Sequence, residues 1–222
     1  MTATTAHRSQ DSPAATFTRI AFHLAPVLML TYGLVRLIDG RDGHHGPGTA
    51  WTVGHLLFLG ALLMYGPVIV GLRRRVPRGG MPRRLTANIA TGVALVGLAT
   101  FIRVAIIDIV VGLQAADPAE KSRLSDRYSD VPAVLPQVVY EIGPMFFMLG
   151  LIVLLVQLAV VGPRSIGNIL SPVLVVLGFI TIFINLDLLS AGAALIWLAL
   201  IHHARTPARA ETRRRTPQPN TA

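Results

Sequence analysis

The residues of this chain that could do chemistry are ionisable side chains set inside apolar segments. Arg36 and Asp39 close the first segment, and His55 opens the second. Arg103 and Asp108 lie within the third, Glu141 stands near the start of the fourth, and Asp187 falls between the last two. A charge in a bilayer is costly, so such residues mark either function or tight pairing. A carboxyl in apolar surroundings keeps its proton and can deliver it as a general acid. Aromatic faces stabilise nearby cations, and an apolar enclosure keeps water from reactive intermediates. Glu141, Asp108 and Asp187 are the candidate acids. Tyr32, Phe101, Tyr140, Phe146, Phe147, Phe179 and Phe183 are the aromatic residues near them in sequence. Acid-initiated cyclisation of a prenyl chain needs this combination.

The elements that must hold these residues are membrane helices. The chain has 222 residues, 52% of them hydrophobic and only 14% charged. A soluble domain carries about 25% charged residues, and the mean hydropathy here is +0.58, so the solvent is lipid. Apolar stretches run over about 17–38, 51–72, 87–113, 138–161 and 166–203. The last is interrupted by Asn185 and Asp187 and is long enough for two short crossings of about 20 residues each. The runs are continuous rather than alternating, which predicts helices and not a membrane barrel. The predicted fold class is all-α: a polytopic transmembrane bundle of about six helices. Residues 1–16 read as a disordered lead, 17–203 as the helical domain and 204–222 as a basic disordered tail. The first segment is too long for a signal-peptide core and is expected to remain as a helix. The 114–137 connection holds Asp117-Pro118, Pro132 and Pro136 and could form a short surface helix or cap.

Charge sets the expected orientation. The formal net charge is +9, with Arg73, Arg74, Arg75, Arg78, Arg83 and Arg84 in one connection and Arg205, Arg209, Arg213, Arg214 and Arg215 in the tail. Both clusters fall on one side of a six-helix bundle. The positive-inside rule makes that side cytoplasmic, together with both termini, in a multi-pass protein of the cell membrane. The expected contacts of the 73–86 loop and the tail are anionic lipid headgroups, with no nucleic acid.

Several chemistries are excluded. The chain has no Cys, so disulfides, iron–sulfur clusters and thiolate sites are ruled out. HExxH, P-loop, dinucleotide and GxSxG motifs are missing. His23 and His55 stand at opposite depths, so they do not form a haem pair. Lys121 is the one lysine and reads as a loop residue, which argues against a Schiff base.

Each candidate also has a plain structural reading. Glu141 can complement a helix N-terminus, Arg36 can snorkel, Asp39 can be a loop residue and His55 an interfacial histidine. His44 and His45 sit on a Gly-rich loop, and Asp187 can cap the sixth helix. Asp108 and Arg103 are harder to dismiss. Asp108 faces the unfavourable end of its helix dipole among Ile106, Ile107, Ile109 and Val110. Arg103 lies deeper still. The two are five residues apart and do not share a face, so each is expected to pair with another helix, for instance at Glu141 or Asp187. By depth, most of these residues form a polar layer in the outer third of the bundle. A faint echo links Phe58-Leu59-Gly60 with Met148-Leu149-Gly150, and Gly97-x-x-Thr100 with Gly178-x-x-Thr181.

In size, composition and acid placement across about 17–203, the chain resembles the small integral-membrane terpene cyclases of meroterpenoid pathways. The resemblance implies a lipophilic prenylated small molecule as substrate and no metal or organic cofactor. It implies Glu141, Asp108 and Asp187 as catalytic acids, with Glu141, beside Tyr140 and the Phe146–Phe147 pair, the first choice as proton donor. Arg103, Tyr140, Phe101, Phe146, Phe147 and Phe183 would line the substrate. Two other classes stay open on the residues alone. One is a small proton- or ion-coupled transporter. The other is an accessory membrane protein with the charges as interhelical locks.

Overall fold

The computed structural model describes residues 12–43, 45–130 and 134–205. Residues 1–11 of the expected lead, His44, and the expected tail from 206 onward lie outside the described residues. Seven α-helices follow one another: α1 (Pro13–Asp39), α2 (Thr49–Arg75), α3 (Met81–Gln114), α4 (Pro118–Ser129), α5 (Val134–Val161), α6 (Ile166–Ile184) and α7 (Leu189–Arg205). Among the described residues six spans are long and apolar enough to cross a membrane, the last running from Leu186 to Arg205; α4 is not one of them. The fold is an all-α polytopic bundle, as the composition predicted.

Local sequence explains where the helices begin. Ser12 accepts a hydrogen bond from the Ala15 amide ahead of Pro13, so α1 starts four residues before the first apolar run. Ser165 caps α6 in the same way. The long apolar stretch divides into two helices at a 3-10 turn over Leu186–Leu188, and Asn185 accepts from the Asp187 amide there. The 114–137 connection contains a true helix, α4. Asp117 accepts from the Glu120 amide and Glu120 accepts from the Ala116 amide, with Pro118 at the first helical position. Lys121 therefore stands on a helix and not in a loop. Pro26, Pro67, Pro144 and Pro172 all lie inside helices, which membrane helices tolerate because their neighbours help satisfy freed backbone groups.

Pairwise packing closes into a ring: α1 on α2, α2 on α3, α3 on α5, α5 on α6, α6 on α7 and α7 on α1, with α4 outside against α3. Lipid is as apolar as leucine, so helices associate here through close packing of small residues. Gly97 of α3 lies against the backbone of Gly143 and Phe147 on α5, and Gly150 lies against Ala90 and Ala94. Gly178 and Gly192 bring α6 and α7 together in the same way, and Gly33 seats Ser190 between α1 and α7. The interior is filled by Phe22, Leu62, Tyr65, Phe147, Leu151, Leu154 and Leu155, all fully buried.

The two ends differ. One end carries the arginines. Arg73 donates to the Asn88 amide oxygen, and Arg75 bonds the carbonyls of Gly71 and His203 while lying 4.6 Å from the Phe22 ring centre. His203 is buried and 3.1 Å from the Ser171 hydroxyl. The opposite end, beneath α4, carries most of the mixed charges.

Candidate functional site

Asp108 is brought to His55. The Asp108 carboxylate lies 3.5 Å from His55 Nε2, and the Tyr32 hydroxyl lies 3.4 Å from the same nitrogen. Helices α1, α2 and α3 each contribute one of the three groups. His55 is 4% exposed, which rules out the water-facing interfacial reading. Its other ring nitrogen, Nδ1, is 2.8 Å from the Trp51 carbonyl. A carbonyl only accepts, so Nδ1 carries the proton and Nε2 presents a lone pair. The Tyr32 hydroxyl can donate to that lone pair. Asp108 stands just beyond ordinary hydrogen-bond length from the same nitrogen, so the three groups form a relay through which a proton could pass.

Trp51 locks the relay in place. Its indole N–H donates to the Asp108 carbonyl at 2.9 Å, and its ring packs 4.1 Å from the His55 ring centre. The ring also fills the space where a Gly112 side chain would stand. From Trp51 an aromatic ladder descends into the bundle: His55 to Tyr32, Tyr32 stacked on Phe58 at 5.0 Å, Phe58 to Phe101 at 5.9 Å, and Phe101 to Phe147 at 6.0 Å. Phe147 then meets Tyr65 and Phe179. Beside the relay, Tyr32, Arg36, Asp39, Ala50, Trp51, Gly54 and His55 enclose a void of about 10 Å³, room for about one water molecule.

A second set of charges borders the first. Asp187 is half exposed, 3.8 Å from Arg36 Nε and 3.9 Å from His45 Nε2. His45 Nδ1 is 3.9 Å from Asp39. The expected polar layer thus resolves into two groups, Tyr32–His55–Asp108 and Asp39–His45–Asp187–Arg36. Lys121 bridges them, bonding the His45 carbonyl and lying 4.2 Å from the Trp51 ring centre. Partial burial pulls the Lys121 ammonium below the usual lysine pKa, against the opposing pull of Asp108 and Asp39.

The other predicted residues are placed differently. Glu141 is exposed and accepts from Gln137 at 2.9 Å; it does not join Asp108. Arg103 reaches neither Glu141 nor Asp187, the partners expected for it. It donates to the carbonyls of Tyr128 and Ser129 at 3.0 and 3.3 Å, and lies 4.2 Å over the Tyr140 ring. Free carbonyls at the end of α4 satisfy the half-buried guanidinium as a carboxylate would, without desolvating a second charge. Phe101 and Phe147 stand in the interior ladder, Phe146 is half-buried, and Phe183 is 62% exposed on the outer surface. Sequence reasoning underrated His55, Trp51 and Lys121. Asp117-Pro118-x-Glu120 is a helix-start signal that would have placed Lys121 on a helix, and Trp51 and His55 are four apart on one helical face. Among the described residues, no group of three or more His, Asp or Glu side chains is arranged to hold a metal ion. No family model, no curated protein and no solved structure matches the chain.

Proposed function

We propose that this chain is a membrane-embedded enzyme in which Asp108 delivers a proton to a lipophilic prenylated substrate and starts its cyclisation. One observation carries the reading: Asp108, His55 and Tyr32 meet at the head of an aromatic ladder, and on this reading Asp108 and His55 share one movable proton. In the proposed reaction Asp108 protonates an epoxide oxygen or a terminal alkene. Where an epoxide reacts, its C–O bond opens, and in either case the carbon cation formed is captured by the next alkene as a new C–C bond. The final cation loses a proton to the Asp108–His55 pair, so the net change is an isomerisation. Tyr32, Phe58, Phe101 and Trp51 offer π-faces to the cationic intermediates. Asp108 replaces Glu141 as the first choice of donor, because Glu141 is exposed and bonded to Gln137. The void beside His55 fits a water and not a prenyl chain, so on this reading a bound substrate parts the contacts around α4.

A transmembrane proton path is the weaker reading. Beyond the ladder the interior is packed with Tyr65, Leu62, Leu151 and Leu154, which offer no chain of polar groups. We also place the arginine-rich end and both termini on the cytoplasmic side of the cell membrane. Arg73, Arg74, Arg78, Arg83 and Arg84 would there meet anionic headgroups.

The test is expression in a host supplied with plain and epoxidised prenylated acceptors, with products separated by mass spectrometry. A cyclised isomer made by the wild type and by Glu141→Gln, and lost in Asp108→Asn at equal membrane abundance, supports the reading. No isomer from any prenylated acceptor, or an Asp108→Asn variant as active as the wild type, ends it.

A further inference from the structure

α4 is fastened to the bundle without burying any of its own residues. Its attachments are polar and sit at its two ends. At the first, Lys121 Nζ donates to the His45 carbonyl and its charge lies 4.2 Å from the centre of the Trp51 ring. At the second, Arg103 of α3 grips the terminal carbonyls of Tyr128 and Ser129 while stacking on Tyr140 of α5. The Tyr128 hydroxyl adds a bond to Gln114 at 2.7 Å. Of its apolar side chains α4 tucks only Leu124 partly inward, and it buries no residue fully; an element so lightly packed belongs to the part of a protein that opens first.

What lies under it gives the arrangement its meaning. The ring covered by Lys121 is Trp51, which donates to the Asp108 backbone and whose carbonyl sets the His55 tautomer. The groups facing Lys121 are Arg36 and Asp39 from α1, Trp51 from α2, Asp108 from α3 and His45 from the α1–α2 connection. The chain has one lysine against 19 arginines, and that lysine stands here. An ammonium on a flexible stem can sit on a ring face and leave it without breaking a fixed fork of hydrogen bonds.

We propose that α4 is a lid over the Asp108–His55 site, that Lys121 and Arg103 are its two latches, and that lipophilic molecules reach Asp108 when it lifts. Lys121 and Arg103 are positioning residues in this scheme. Lys121 holds the N-terminal end of α4 against the wall of the site, and Arg103 acts as an external cap on its C-terminal end. The inference rests on Asp108 being the working acid, but its test does not depend on cyclisation.

The test uses the full chain in lipid nanodiscs and dicyclohexylcarbodiimide, a lipophilic reagent that adds to protonated carboxyls in apolar sites. The rate of Asp108 modification is read by peptide mass spectrometry, with exposed Glu141 in the same sample as reference. Lys121→Ala and Arg103→Ala are each expected to raise the Asp108 rate by about threefold to fivefold, the factor one partly exposed cation–π contact confers. Lys121→Arg keeps a charge over Trp51 and is expected to stay within about twofold of wild type. Hydrogen exchange on the unmutated protein gives a second readout: the α4 amides should exchange together, and faster than those of Ala105–Val111. Unchanged Asp108 rates in both alanine variants, a Lys121→Arg rate equal to that of Lys121→Ala, or α4 amides as protected as those of α3 would each overturn the lid. Lost cyclisation in Asp108→Asn with unchanged carbodiimide rates would remove the lid and leave the catalytic reading standing.

Discussion

Replacing Asp108 tests whether the relay is held by a shared proton or by charge. His55 Nδ1 is committed to the Trp51 carbonyl, so Nε2 needs a donor. The Tyr32 hydroxyl is available only at 3.4 Å, and Asp108 stands at 3.5 Å. Asp108→Ala leaves a buried imidazole nitrogen with one long contact, and should cost about 2 kcal/mol, the ordinary penalty of an under-satisfied buried polar group. Asp108→Asn has nearly the same shape and can aim its amide N–H at Nε2. It should remain within about 1 kcal/mol of wild type while lowering turnover in the proposed cyclisation by at least about 100-fold, because an amide N–H is too weak an acid to transfer its proton. Stability is measured by reversible unfolding in mixed detergent micelles. The infrared carboxyl band reports the proton and should change in both variants but not in Glu141→Gln. If Asp108→Asn were as unstable as Asp108→Ala, the carboxylate would be working as a charge against Lys121, and the shared-proton argument would be wrong.

Further outcomes follow from the packing and from the charged end. Gly97→Val puts a side chain against the backbone of Phe147 and Gly143; backbone cannot swing aside, so a loss of about 3 kcal/mol should appear in the same unfolding assay. Arg75→Ala removes bonds to the carbonyls of Gly71 and His203 and should cost about 2 kcal/mol, with part of it recovered in Arg75→Lys. Neutralising Arg73, Arg74, Arg78, Arg83 and Arg84 together to Gln should weaken the preference of the inserted protein for anionic over neutral lipid by about 1 kcal/mol per residue that reaches the headgroups. Equal amounts of anionic and neutral lipid held by the wild-type protein in mixed nanodiscs would remove that contact from the account.

The linear chain settles what the solvent dictates. Apolar runs of about 20 residues, interrupted by arginines, prolines and glycines, can satisfy their backbone in lipid only as helices, so the six spans and their approximate ends follow from composition alone. Asp108 also announces itself: a carboxyl between isoleucines inside an apolar helix cannot be indifferent to its surroundings. Its partner is not legible, because His55 lies 53 positions earlier in the chain and looks like any histidine at a helix start. The α2–α3 contact brings them together through Trp51 seated on Gly112. The same limit moved Glu141 outward and sent Arg103 to the carbonyls of α4. One helical position is about 100° of rotation, and which residue faces inward depends on how Gly97, Gly143, Gly150, Gly178 and Gly192 let the helices approach. Element type is a local property of the solvent and the backbone. The meeting of Asp108, His55 and Tyr32 comes from three helices packed at particular rotations, and only the tertiary structure decides that.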